Sequence, residues 1–288
     1  MKVLVFGGAH GQVATSLRRQ SGNRIQIQSL GRDSVDFRVG GQITAAIQAT
    51  DADVIINAAA YTNVDKAEHQ PELAEQINHL AVAEIGRAAA MRAIPVLHIS
   101  TDYVFFGTGE TPWRPHDPTD PRSVYGASKA RGEQALAQAG GCFAILRTSW
   151  VFSAGGQNFV LAMLRLGDDE SIVRVVKDQI GGPTSADDIA RALLTIAQRL
   201  VAGRSGGGVY HFSGAPDCSW AEFAHEIFTQ AGRNVRVVPI LSEDYPTVAI
   251  RPRNSRLDCA SLEQEFGIFR PDWRVGLANV LQQLGAIS

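Results

Sequence analysis

The chain has 288 residues, 45% of them hydrophobic and 19% charged, with a formal net charge of -2. This is the composition of an ordinary globular protein, long enough for a large domain and a smaller second one. The near-neutral balance gives no electrostatic case for a nucleic acid or an anionic membrane as partner. No apolar run approaches the ~20 residues of a membrane span.

Met1-Lys-Val-Leu-Val-Phe6 opens the chain with a short apolar run that reads as a strand buried on both faces, not as a signal peptide. Gly7-Gly8-Ala-His10-Gly11-Gln12-Val13-Ala14 follows at once, then the helix-prone stretch 15–20. Strand, glycine turn and helix start form the context that a dinucleotide-binding fingerprint requires. Gly8 and Gly11 let the backbone approach a pyrophosphate at the positive end of the helix. The spacing, Gly8-x-x-Gly11-x-x-Ala14, is not the G-x-G-x-x-G of ordinary dehydrogenases. A tight βα turn with no ligand is the plainer alternative.

The βα rhythm continues. Strands are expected over residues 24–30, 53–57, 95–99 and 143–147, with helices over 39–49, 72–91 and 125–139. Such alternation predicts an α/β fold with a doubly wound parallel sheet of Rossmann type. Ligands of these sheets bind beyond the carboxyl ends of the strands, where Gly8, Arg32, Ala58, Thr101 and Trp150 fall. In the second half, residues 173–176 and 209–212 read as strands and 203–208, rich in glycine, as a surface loop. Residues 219–231 read as a helix capped by Ser219, with Glu222 three positions on. The expected division is a dinucleotide unit over 1–150, with about 172–212 partly returning to it, and a smaller α/β unit mainly over 151–288.

Tyr125-Gly-Ala-Ser-Lys129 carries the chemistry. On a helix, positions i and i+4 share a face. A positive charge beside the phenol favours phenolate and makes the Tyr, with an ordinary pKa of ~10, a stronger acid at neutral pH. A solvated helix face is the plainer reading of these two residues alone. Cys142, Cys218 and Cys259 are widely spaced and odd in number, which suits a reducing cytoplasm and gives no zinc pattern. The seven histidines show no metal spacing and no acidic cluster compels a metal, while a metal bridge between subunits stays open; His69, His79 and His98 read as structural.

Further motifs are Asn57-Ala-Ala-Ala60-Tyr61-Thr62-x-Val-Asp65-x-Ala67-Glu68, Ser100-Thr-Asp-Tyr-Val-Phe105 and Tyr125-Gly-x-x-Lys129-x-x-Gly132-Glu133. Then come Arg147-Thr-Ser-Trp150-Val, Asn158-Phe159, Asp178-Gln179-x-Gly-x-Pro183-Thr184 and Arg251-Pro-x-Asn254-Ser-Arg256-Leu. With the glycine turn they span most of the chain. They resemble the extended short-chain dehydrogenase/reductase superfamily and, within it, the dTDP-4-dehydrorhamnose reductase family. The resemblance implies an NAD(P)H-dependent oxidoreductase that reduces the C4 ketone of dTDP-4-dehydro-L-rhamnose to dTDP-L-rhamnose, in the biosynthesis of a cell-surface polysaccharide.

In that reading Tyr125 donates a proton to the C4 oxygen. Lys129 lowers its pKa and binds the nicotinamide ribose, and Thr101 holds the carbonyl oxygen. The cofactor contacts are Gly8, His10, Gly11, Gln12 and Val13; Arg32; Asp36 and Phe37 near adenine; Ala58, Ala59, Ala60 and Tyr61; and Tyr125 and Lys129. Arg32 matches a 2′-phosphate, which favours NADPH with NADH as the alternative, unless it is a plain surface charge. The substrate contacts are Thr101, Asp102, Tyr103, Trp150, Asn158, Gln179 and Arg251, the last a partner for a diphosphate. Trp150 either stacks on the ligand or belongs to the core, Trp113 either covers the site or anchors its loop, and Arg256 is a structural alternative beside Arg251. Two rival functions remain: a reductase or epimerase of another nucleotide-sugar, and a non-catalytic NADP-binding regulatory subunit. A homodimer is compatible with the sequence and not required by it.

Overall fold

The computed structural model describes residues 1–203 and 207–287. The middle of the glycine-rich 203–208 stretch therefore lies outside the described residues. The first half holds β1 (Lys2–Phe6), α1 (Gln12–Arg19), β2 (Gln26–Leu30), α2 (Gln42–Ala49), β3 (Val54–Asn57), α3 (Val64–His69) and α4 (Pro71–Glu75). A π turn, Gln76–Leu80, leads into α5 (Ala81–Met91), β4 (Val96–Thr101), a 3-10 turn at Asp102–Val104, α6 (Val124–Gln138) and β5 (Phe143–Thr148). Then come β6 (Val151–Phe152), α7 (Phe159–Asp169), β7 (Ile172–Val176), β8 (Ile180–Gly181), β9 (Thr184–Ser185), α8 (Ala186–Val201) and β10 (Gly208–His211). The chain closes with β11 (Cys218–Ser219), α9 (Trp220–Gln230), β12 (Arg236–Ile240), β13 (Asn254–Ser255), α10 (Ala260–Phe266) and α11 (Trp273–Gln283).

Six strands form the main sheet in the order β10-β5-β4-β3-β1-β2, every neighbour parallel. The alternation of the strands divides their side chains between two cores. Val3, Val5, Val54, Ile56, Leu97 and Leu146 face α1 and α8, while Leu4, Phe6, Ile55, Val96 and Ile145 face α2 and α5. A third core, built from α7, α9, α11 and β7, includes Phe152, Phe223, Phe228 and Trp273.

The expected strands and helices form with shifted ends. A turn closed by Gly22 and Ile25 delays β2 to Gln26, and Gly41, at φ 83°, delays α2 to Gln42. Ser219 and Glu222 form the anticipated capping box. Within 172–212, β7 pairs with β12 in a separate two-stranded ladder, and only α8 and β10 join the large sheet and its core. Apolar alternation shows that a strand has one buried face but does not say which sheet it joins.

Helix α6 is held close. Ser123 caps its start through the Gly126 N–H at 3.1 Å, and Asn78, on the π turn, donates to Ser128 Oγ at 3.0 Å. A Cβ at Gly132 would lie 2.1 Å from the Asn78 carbonyl oxygen, and one at Gly126 2.2 Å from that of Tyr103. Both obstacles are backbone, so the helix must move if either glycine gains a side chain. Gly132→Ala is expected to destabilise the protein by about 1–3 kcal/mol, read as a lower denaturant midpoint at unchanged slope. An unchanged midpoint would show that the contact carries no constraint.

Candidate active site

The parallel order brings the carboxyl ends of β1 to β5 to one edge of the sheet. At β1, Gly11 precedes α1 with no side-chain cap, so the first N–H groups of the helix are offered to a ligand. A Cβ at Gly7 would meet Ala14 Cβ at 2.7 Å, and one at Gly31 would meet Gly8 Cα at 3.0 Å. The turn is thus packed tightly below and uncapped at the helix start, a shape that fits a dinucleotide pyrophosphate. His10 is exposed and Val13 buried. Gln12 accepts from Ser153 Oγ at 2.9 Å, which ties α1 to the loop after β6.

Beyond β2, the Arg32 side chain is 67% exposed and reaches Asp36 at 3.7 Å. Asp36 is gripped by Arg38, whose hydrogen bonds hold its carboxyl well below the usual range. Arg38 was not singled out in the sequence; its guanidinium shares Asp36 with Arg32 and doubles the positive charge there. Phe37 is 8% exposed and packs edge-on against Phe6 at 5.7 Å, so its ring belongs to the core and is not presented to adenine. After β3, Ala58, Ala59 and Ala60 are half-buried. The Tyr61 amide is fixed by Asn78 Oδ1 at 2.8 Å.

Around β4 and α6 the candidate catalytic groups meet. Thr101 accepts the Tyr103 N–H at 3.2 Å, donates to Asp102 Oδ1 at 3.1 Å, and lies beside the Tyr125 phenol, whose pKa it draws down. It is therefore both a cap and a partner of Tyr125. Asp102 is 2% exposed and also accepts from Ser255 Oγ at 2.5 Å. Both of its carboxylate oxygens are thus engaged inside the chain, and it supports Thr101 without facing the cleft. Lys129 is buried and donates to the Ile99 carbonyl at 2.7 Å, with Nζ 3.0 Å from His98 Nε2. The expected lowering of the Tyr125 pKa by Lys129 is not found. Burial pushes the phenol above its ordinary value, the Thr101 hydrogen bond opposes this, and the nearby Asp102 adds to it. Position i+4 puts the two residues on one face, but the Lys129 ammonium is directed down toward β4.

The outer wall holds the remaining candidates. Tyr103 packs edge-on against Tyr125 at 5.5 Å, and burial pushes its pKa up to about 12. Arg251 is paired with Asp65 at 2.7 Å and lies 3.5 Å from the Tyr103 hydroxyl. Trp150 has a positive φ of 50° and stacks on Trp220 at 3.6 Å, so one indole face is covered. Such backbone strain in a non-glycine residue is common at functional sites. Asn158 caps α7 and donates to the Ser153 and Gly155 carbonyls, which makes it a support of that loop. Gln179 is 7% exposed and donates to Ser242 Oγ at 3.0 Å. Trp113 stacks on Phe105 at 4.7 Å and donates to the Asn254 carbonyl, so it anchors its loop. Arg256 donates to Asn254 Oδ1 at 3.1 Å, a structural contact.

The comparisons agree with this architecture. The family model described as RmlD substrate binding domain matches residues 1–286. The chain belongs to this family. A dTDP-4-dehydrorhamnose reductase of Sinorhizobium fredii is 45% identical over 276 residues, 94% of this chain and 93% of the relative. The crystal structure of a dTDP-4-dehydrorhamnose reductase from Clostridium acetobutylicum superposes with a TM-score of 0.92 at 33% identity, covering 99% of this chain and 100% of that one. The Bacillus anthracis reductase, solved in complex with NADP, gives 0.90 at 32% identity, with 98% and 99% covered. Among the described residues no helix of this family member is long and apolar enough to cross a membrane.

Asp102 gives the site a pH signature. Burial pushes its pKa up to about 6 against the hydrogen bonds from Ser255 and Thr101. A carboxyl raised on folding contributes stability in full below its unfolded pKa of ~3.9, and that contribution is lost as pH rises through about 6. Asp102→Asn should remove this dependence. The wild type should lose about 2–3 kcal/mol more than the variant between pH 4 and 7 in denaturant titrations. Parallel curves would show that Asp102 does not bear this burden.

Proposed function

We propose that this protein catalyses the NADPH-dependent reduction of the C4 ketone of dTDP-4-dehydro-L-rhamnose to dTDP-L-rhamnose. The observation that carries the reading is the meeting of Tyr125 and Thr101 at the carboxyl end of β4, in a chain whose full length matches the reductase family. When bound, the reduced nicotinamide supplies a hydride. The α1 N-terminus, Gly8 and Gly11 hold the pyrophosphate, Arg32 with Arg38 holds the 2′-phosphate, and Ala58 to Tyr61 line the path between them.

As charge develops on the C4 oxygen, Tyr125 gives up its proton to it and Thr101 keeps that oxygen within reach. A phenol with a raised pKa is a firm proton holder. Its release needs a cation nearby, and Lys129 is the group positioned to provide one once it turns from His98. Arg251, released from Asp65, meets the diphosphate. Trp150, Asn158 and Gln179 shape the sugar side, with Asn158 acting through the loop it supports. In this reading the dinucleotide unit comprises residues 1–150 with α8 and β10, and the remainder forms the nucleotide-sugar side. The soluble cofactor pool and the free cysteines are in keeping with a cytoplasmic enzyme, and the protein works alone or as a homodimer.

Tyr125→Phe should lower turnover by about 10²–10⁴-fold while NADPH still binds, as read by nicotinamide fluorescence. Near-normal turnover would remove Tyr125 from the acid role. Arg32→Ala should weaken NADPH about tenfold or more and NADH little. Equal losses for the two cofactors, measured by direct binding, would defeat the 2′-phosphate assignment.

A further inference from the structure

Behind Lys129 runs a buried polar chain that the reduction itself does not call on. Asn57, His98 and Lys129 are 1%, 0% and 2% exposed. Asn57 ends β3 and pairs in register with His98 on β4. Asn57 Nδ2 lies 3.0 Å from His98 Nδ1, and His98 Nε2 lies 3.0 Å from Lys129 Nζ.

The direction of the first contact is fixed. Asn57 Oδ1 accepts the backbone N–H of Ala59 at 3.1 Å. Turning the amide over would set its NH₂ against that N–H, so Nδ2, which only donates, must face the imidazole. His98 Nδ1 is then an acceptor, and the proton of the neutral ring sits on Nε2. An imidazolium is disfavoured for the same reason, because its Nδ1–H would point at the amide hydrogens. The Nε2–H in turn points at Lys129 Nζ. An ammonium has three donors and no acceptor, so it would oppose the Nε2–H in a site closed to water. An uncharged amine has a lone pair for that proton and keeps hydrogens for the Ile99 carbonyl at 2.7 Å.

We propose that Asn57 locks His98 with its proton on Nε2, and that His98 thereby disfavours the ammonium form of Lys129 in the free protein. This makes His98 a positioning residue for the charge on Lys129; its mechanistic consequence rests on the reading of Lys129 as the partner of Tyr125. Burial acts in the same direction, lowering Lys129 to about 8 and pushing His98 well below its ordinary value. The other charged and titratable groups around the pair are few. Glu133, on α6, favours the ammonium, and Arg147 on β5 offsets it through a pair at 2.6 Å. Tyr125 and the buried Asp102 lie around Thr101, and β3 contributes only the neutral Asn57. The cation that eases proton release from Tyr125 is therefore held more weakly than an ordinary lysine's. Its population falls as pH rises through the Lys129 pKa.

Long-range ¹H–¹⁵N spectra of the free full-length protein read the tautomer directly, with His98 assigned by its absence in His98→Gln. The expected pattern is protonation at Nε2 through the neutral range. A titration of ¹³C-labelled lysine, with Lys129 assigned through Lys129→Met, should show it titrating below the ordinary ~10.4. In Asn57→Ala the ring is free to turn its proton away, and in His98→Gln the amide oxygen can accept from an ammonium. Lys129 should then titrate about one pH unit higher in each. Protonation at Nδ1, an imidazolium, or an ordinary lysine titration in the wild type would overturn the proposal. So would a Lys129 titration that neither substitution moves, the result expected if His98 only fills space. If the variants do not fold, the wild-type tautomer decides alone. None of these readouts uses turnover, so failure here is distinct from a failure of the reductase reading, which Tyr125→Phe tests.

Discussion

The site depends on how closely α6 approaches the end of β4. Two glycines without room for a Cβ, Gly126 under the Tyr103 carbonyl and Gly132 under that of Asn78, let the helix backbone ride on the 3-10 turn and the π turn. That approach buries Lys129 and sets Tyr125 beside Thr101. The π turn is part of the same device, because Asn78 meets both Ser128 on α6 and Tyr61 beyond β3. The turn beyond β3 and helix α6 are therefore joined through one buried amide.

Electrostatics at this site are set more by burial than by charge pairs. Tyr125, Tyr103 and Asp102 all have raised pKa values, and in each case loss of water is the largest cause. The protein alone thus keeps its two cleft tyrosines protonated and its buried lysine weakly basic. Such groups hold protons until a ligand brings charge into the cleft, which suits a reaction in which the proton follows the developing alkoxide. The same logic applies to Arg251, a partly buried guanidinium that rests against Asp65.

Much of this was legible in the sequence. The βα alternation gave the parallel sheet, because strands buried on both faces read as continuous apolar runs. The motif residues at strand ends pointed to the sheet edge where the candidate groups gather. What the sequence did not reveal was direction. Nothing in the Tyr125–Lys129 spacing indicates that Lys129 turns toward His98, or that the Phe37 ring faces Phe6. Asp102 and Asn158 stand in ligand motifs yet spend their hydrogen bonds on Thr101, Ser255 and the 153–155 loop. Arg38 and Trp220 were missed because each acts through a neighbour already singled out, Asp36 and Trp150. The partner of β7 was missed because it lies 64 residues downstream, at β12, where Arg236 pairs with Ile172. Contacts that close over long loops leave little local trace.

The central claim is that this chain delivers a hydride to C4 of a dTDP-4-keto sugar. The most direct measurement is to incubate the protein with dTDP-4-dehydro-L-rhamnose and NADPH deuterated at the transferred position, and to analyse the product by mass spectrometry and NMR. The expected product is dTDP-L-rhamnose carrying deuterium at C4, formed by the wild type and nearly absent with Tyr125→Phe. Unreacted ketone with bound NADPH, or a product labelled elsewhere or not at all, would contradict it.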